Sequence, residues 1–206
     1  GHGGRRMMRL PRFRWFAPRT VAEAAAILAG EGPDAMVVAG GTDLYPNMKR
    51  RHQTPKTLVG LRRVEGLQKV VEAGGPGRSD GGPAPRGGMR LGAGTTLAAL
   101  ERHAGLRARY SGLHEAVRTI STPILRHMGT IGGNVCLDTR CNYYNQNWEW
   151  RRADNFCLKC CGDAWWGAPR SHVCPARSSR DPAPNLCPLR APVHLASCLG
   201  VRAPGA

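Results

Sequence analysis

The sequence predicts an α+β fold, on three observations. Thr20-Val21-Ala22-Glu23 opens a capped helix, a short apolar run at 35–39 leads straight into paired glycines, and helical and strand-like segments alternate irregularly through the first 135 residues. In the capping box the Thr20 hydroxyl takes the N-cap position and the Glu23 carboxylate takes N3, which satisfies two N–H donors reciprocally. The Ala-rich run behind it stays helical to about Leu28, where Gly30, Gly32 and Pro33 stop it. Ala35 to Ala39 has the length and apolar character of a buried strand, and Thr57 to Leu61 is a second strand. Leu67 to Ala73 and Met89 to Ala93 are two more, separated by the glycine- and proline-rich loop GGPGRSDGGPAPRGG. Thr96 to His103 and Gly112 to Ile120 read as short helices, and Thr119 to Pro123 is a break before Ile124 to Met128. From Cys136 onward periodicity fades and cysteines and tryptophans appear together.

The chain of 206 residues has room for one ordinary domain or two small ones, and 41% hydrophobic residues support a core. The formal charge of +16 comes mostly from arginine. Phosphate binding rewards such residues, but Arg14, Arg62, Arg107 and Arg151 and their neighbours are scattered and form no single run. The scatter argues against a nucleic-acid site, and a basic surface facing acidic partner subunits accounts for the charge at least as well. No apolar stretch reaches the roughly 18 residues of a membrane span. Residues 1–6 lack the apolar segment of a secretory signal and read as an upstream extension ahead of Met7 or Met8. The expected compartment is therefore cytoplasmic. Eight cysteines there favour metal or redox chemistry over disulfides.

The glycine motifs carry the binding chemistry. Val37-Val38-Ala39-Gly40-Gly41-Thr42-Asp43-Leu44 puts two glycines directly after a strand, where backbone N–H groups can approach an anion and Thr42 adds a hydroxyl. Taken alone, this is equally a glycine turn at a strand end. Thr130-Ile131-Gly132-Gly133-Asn134 repeats the pattern later as a second loop, flanked by a hydroxyl and a side-chain amide. Gly92-Ala93-Gly94-Thr95-Thr96 adds more glycine and hydroxyl groups. Two such loops suit one nucleotide diphosphate gripped from both sides. The spacing is not the G-x-G-x-x-G of a Rossmann turn.

VAGGTDL, GAGTTLAAL and TIGGN-x-C, in that order, resemble the FAD-binding subunit of the xanthine dehydrogenase and carbon-monoxide dehydrogenase superfamily, the molybdenum hydroxylases, over about Met8 to Cys174. The resemblance implies a two-lobed α+β FAD-binding domain with the flavin between the lobes. It implies that residues Val37 to Leu44 wrap the diphosphate. Thr95, Thr130, Gly132, Gly133 and Asn134 would face the cofactor, and Asp138 would meet its ADP ribose side. The implied partners are a [2Fe–2S] subunit and a molybdenum-cofactor subunit, with this chain as the flavoprotein electron-transfer component of an oxidoreductase.

Cys141 to Gln146, inside D-T-R-C-x-x-Y-N-Q, further resembles one branch of that family, the 4-hydroxybenzoyl-CoA reductase beta subunit. That branch carries a [4Fe–4S] cluster on an inserted loop. Matched residue by residue, Cys141, Cys157 and Cys174 fall on ligand positions, while the fourth falls on Trp165, leaving Cys160 or Cys161 to supply the missing thiolate. Only Cys157-x-x-Cys160 has C-x-x-C spacing, which fits a zinc ribbon poorly. Cys136 reads as a small buried residue, and Cys187 and Cys198 as incidental. Tyr143, Tyr144, Trp148 and Trp150 are expected to pack that loop.

The implied organisation is an FAD-binding domain at 7–135, a Cys-rich insert at 136–175 and a degraded or disordered tail at 176–206, where Pro188 and Pro192 interrupt the family's helix and strand. The family's C-terminal α+β domain would be missing, so the chain reads as truncated. Two rival readings stay open: a Cys-rich metal- and nucleic-acid-binding module, and a non-functional truncated product.

Overall fold

The computed structural model describes residues 9–72, 88–138 and 140–174. The extension at 1–6, most of the loop between Ala73 and Gly88, Cys187, Cys198 and the tail from 176 lie outside the described residues.

The first lobe is a three-stranded parallel sheet. Strand β1 (Arg14–Phe16), helix α1 (Val21–Glu31), strand β2 (Ala35–Val38), helix α2 (Leu44–Lys49) and strand β3 (Thr57–Gly60) come in that sequence, with strand order β1-β3-β2. Thr57 pairs with Arg14 on one side and Ala35 on the other, and Val59 with Phe16 and Val37. The centre of the sheet is therefore β3, whose four residues are all buried. Strand β2, expected to be buried, is an edge strand instead: Val37 is 37% exposed and only Val38 is buried. Strand β1 was not anticipated, because three residues at the other edge give no measurable alternation.

Helix α1 begins with the Thr20 hydroxyl accepting from Glu23 N at 3.1 Å, as the capping box predicts, while Glu23 Oε2 accepts at 2.8 Å from Arg19 N, one residue ahead of the N-cap, instead of from Thr20 N. It runs three residues past Leu28, because Gly30 is tolerated inside a helix and the stop is Gly32, at φ 65°. At its end Glu31 accepts from the Thr57 hydroxyl at 2.7 Å and pairs with Arg14, so the buried threonine of the central strand is satisfied. The core of this lobe is Val38, Leu44, Met48 and Leu58.

The second lobe is a hairpin packed on helices. Strands β4 (Val70–Glu72) and β5 (Met89–Leu91) are antiparallel, each shorter than its expected range. The helix expected at Thr96–His103 is α3 (Leu97–Glu101), and a further helix that was not anticipated, α4 (Ala104–Arg109), follows it, because the His103 imidazole caps a new start by accepting from Leu106 N at 3.1 Å. Helix α5 (Ser111–Thr119) comes next, then a turn with Ser121 at φ 56°, then the single turn α6 (Pro123–Arg126). The segment expected as the second glycine loop is in fact a short helix, α7 (Ile131–Val135), started by the Thr130 hydroxyl on Gly133 N. A capped N-terminus and packing by Ile131 outweigh the poor helix propensity of two glycines. Leu97, Leu100, Leu106, Leu113, Val117, Ile120 and Ile131 form this lobe's own core.

Two separate cores predict two separable stability effects. Leu58→Ala in the first and Leu100→Ala in the second, both fully buried, are each expected to cost about 2–5 kcal/mol in urea titrations. Gly30→Ala, where an added methyl meets nothing within 4 Å, is expected to stabilise α1 by roughly 0.5–1 kcal/mol.

Candidate functional site

The two lobes meet at their glycines. A methyl carbon on Gly40 would overlap the carbonyl oxygen of Met128 and stand 3.0 Å from Gly129 Cα. Gly41, at φ 72°, lies against the Tyr45 ring, which a side chain there would overlap. Gly132 in α7 packs on Ala93 of the middle motif, where a methyl would come within 2.7 Å of both the side chain and the carbonyl. All three glycine segments named from sequence are thus brought into one region by backbone contact.

Their hydrogen-bonding is unequal. In the second loop four successive N–H groups are engaged within the protein: Ile131 donates to Thr95 O at 2.9 Å, Gly132 to Ala93 O at 2.8 Å, Gly133 to the Thr130 hydroxyl at 3.1 Å and Asn134 to Thr130 O at 2.9 Å. The backbone nest expected there is committed to structure. What this wall offers a ligand is the hydroxyl hydrogen of Thr130. In the first loop the N–H groups of Gly41, Thr42 and Asp43 have no protein acceptor among the described residues. That is the arrangement an anion requires.

The remaining site residues divide between scaffold and surface. Val38 and Leu44 are core residues that hold the loop's two ends, while Ala39 links strand to glycines. Thr42 lies across from Gly129, its hydroxyl 3.7 Å from where a methyl on that glycine would stand. Thr95 is 3% exposed and its hydroxyl has no partner among the described residues. An orphaned buried hydroxyl costs stability unless something fills its valence. Asp43 precedes α2 and accepts from Asn47 Nδ2 at 2.9 Å and from Arg140. A bare carboxylate beside an anion nest would repel a diphosphate; pairing with Arg140 offsets that charge. Asp138 is exposed at its side chain and paired with the buried Lys159 ammonium at 2.7 Å. Lys159 and Arg140 were not anticipated, and only their proximity in the fold reveals them.

Among the described residues no three His, Cys, Asp or Glu side chains are grouped as ligands. Cys157 and Cys174 are buried and Cys141 is half-buried. Cys160 and Cys161 are exposed with their sulfurs 3.5 Å apart, and Cys160 accepts from Arg151 at 3.1 Å. The Cys161 thiol is raised above its ordinary range, first by its hydrogen bond to Cys160, then by desolvation and the charge of Cys160. Cys136, expected inside, is exposed, because it closes the outer end of α7. Trp165 packs on Gly167. Of the four aromatic residues expected to pack this loop, Tyr144 does so, beneath Arg151 at 4.9 Å and Lys159 at 4.7 Å. Tyr143 and, on helix α8 (Trp148–Ala153), Trp148 and Trp150 are exposed, since α8 buries no residue.

Two small cores joined through glycine contacts, with unengaged amides at Gly41 to Asp43 on one side, make a two-lobed α+β module. Residues 11–203 match the family described as the FAD binding domain in molybdopterin dehydrogenase, and the chain belongs to that family. It is 35% identical over 125 residues to the carbon monoxide dehydrogenase medium chain of Hydrogenophaga pseudoflava, covering 61% of this chain and 39% of that one. It is 29% identical over 126 residues to the nicotinate dehydrogenase FAD-subunit of Eubacterium barkeri, covering 60% and 38%. The solved carbon monoxide dehydrogenase of Hydrogenophaga pseudoflava that lacks the Mo-pyranopterin moiety superposes with a TM-score of 0.55 at 34% identity, over 64% of this chain and 42% of that chain. The chain thus spans about two fifths of the length of the relatives it matches.

If contact at Gly40 holds the walls together, Gly40→Ala must force Met128 back. The expected cost is about 1–3 kcal/mol of stability, read by urea titration against Gly30→Ala as a control in open space.

Proposed function

We propose that this chain holds FAD between its lobes, as the flavin-carrying subunit of a molybdenum-containing oxidoreductase. The observation that carries the reading is the set of unengaged amides at Gly41, Thr42 and Asp43, set beside the Gly40–Met128 contact. The residues fit the group. The three N–H groups and Thr42 would take the diphosphate, with Val37 to Leu44 as its frame. Thr95, Thr130 and Asn134 would supply hydroxyl and amide contacts from the other wall, and Gly132 and Gly133 leave room for close approach. Asp138 would receive the ribose side from a position fixed by Lys159. When bound, FAD supplies the electron-carrying chemistry; the protein supplies binding, orientation and shielding from water.

The proposed partners are a [2Fe–2S] subunit and a molybdenum-cofactor subunit, in the cytoplasm. Names such as medium chain and FAD-subunit among the relatives support this assembly. In the same proposal residues 7–135 form the flavin domain and 136–175 an insert. The finer reading is a 4-hydroxybenzoyl-CoA reductase-like subunit with a [4Fe–4S] cluster on Cys141, Cys157, Cys174 and either Cys160 or Cys161. The order of the cysteines and the burial of Cys157 and Cys174 support it. The described sulfurs do not assemble a ligand set, so no electron step is assigned to a cluster.

Titrating the purified chain with FAD and following quenching of flavin fluorescence tests the reading. Wild type is expected to bind. Thr130→Ala, which removes a hydroxyl contact and a helix cap, is expected to weaken binding about tenfold. Gly41→Val, strained at φ 72° and driven into Tyr45, is expected to abolish it. A wild-type chain that takes up no FAD, with Gly41→Val indistinguishable from it, rejects the assignment. Iron analysis of anaerobically purified protein decides the cluster separately.

A further inference from the structure

Arg126 stands out among the charged residues of the second lobe because only 8% of its surface is exposed. Its Nε donates to Glu101 Oε2 at 3.0 Å, and its Nη1 donates to Ile120 O at 3.1 Å and Ser121 O at 3.2 Å. Glu101 is the last residue of α3, and its backbone carbonyl lies 2.9 Å from His114 Nε2 of α5. Ile120 closes α5, so its carbonyl is among those a helix leaves without an internal partner. Ser121 holds the left-handed turn before α6. One guanidinium therefore ties the ends of α3 and α5 to the turn that launches α6.

Immediately beyond Arg126 the chain becomes the second wall of the cradle. Two residues on, the carbonyl of Met128 lies against Gly40. Gly129 donates back to Leu125 O at 2.8 Å and accepts from Leu97 N at 2.9 Å, and Thr130 then starts α7. The bonds from Leu97, Ile131 and Gly132 all depend on the height at which α6 delivers the chain. We propose that Arg126 is a positioning residue, which fixes α6 against α3 and α5 and so sets the second wall in register with Gly40 and Gly41. The apolar core beside it fills space but does not select one register. The planar fork of arginine supplies three directed bonds, and lysine, a point charge, can keep the pairing with Glu101 but not the whole set. Its importance for the cofactor rests on the FAD reading above; its role in placing the wall does not.

Amide hydrogen exchange on the full chain, without cofactor, tests the placement. In Arg126→Gln the amides of Leu97, Ile131 and Gly132 are expected to exchange at least about tenfold faster, while those of Thr57 to Gly60 in the first lobe stay unchanged. Arg126→Lys is expected to restore part of the protection. If Arg126→Gln fails to fold, Glu101→Gln, which keeps shape and removes charge, is expected to show the same local pattern more weakly. Unchanged protection at the three amides in a folded variant overturns the proposal. So does acceleration spread evenly through both lobes, which marks an ordinary core residue. FAD titration of the same proteins keeps the two ideas apart. A wild-type chain that binds no FAD sinks the cofactor reading. Loss of protection in Arg126→Gln still supports the placement in that case.

Discussion

The close approach of Gly40 to the Met128 carbonyl is the constraint on which the rest of the site depends. Each lobe has its own buried core, and neither core alone makes a cradle. Backbone can meet backbone at that distance only where one partner has no side chain. Once the contact is made, Gly41 and Thr42 on one side and Gly129 and Thr130 on the other are neighbours, although nearly ninety positions separate them in sequence. The chemistry of the site is then a matter of which polar groups those neighbours leave unused.

The segment after α7 reinforces this arrangement. Arg140 reaches back to Asp43 in the first wall, and Lys159 reaches Asp138 just beyond the second. Both acidic residues of the cofactor motifs are thus held by cations from the Cys-rich stretch. Arg140 is half exposed, so its pairing with Asp43 contributes little stability and acts by offsetting charge. Lys159 is different: its side chain is buried and its ammonium lies over the Tyr144 ring. The cysteines share this framework through Arg151, which touches Cys160 and lies over Tyr144 and Phe156.

Much of the fold was legible where local chemistry decides it. The Thr20 capping box and the strands at 35–39 and 57–61 were readable because hydrogen-bonding side chains and apolar runs act within a few residues. Strand β1 was not, since its register comes from β3, forty residues away. Helix α4 after His103 and the helix over Ile131–Val135 depend on caps made by His103 and Thr130, which glycine content and propensity conceal. For the site, the glycine motifs named the right neighbourhood. They could not show that the amides of the second loop would be consumed internally, because the acceptors on Ala93 and Thr95 belong to a different motif. Lys159 and Arg140 were invisible for the same reason, as charge pairs across folded distance leave no pattern along a chain.

That internal consumption divides the labour of the two walls. In the second wall the N–H groups from Ile131 to Asn134 are already held by the protein's own acceptors. The first wall, with its unspent donors at Gly41 to Asp43, is where water must be stripped away before any guest can settle. For the proposed flavin, dehydration on entry would thus fall on a three-residue stretch at the tip of an edge strand.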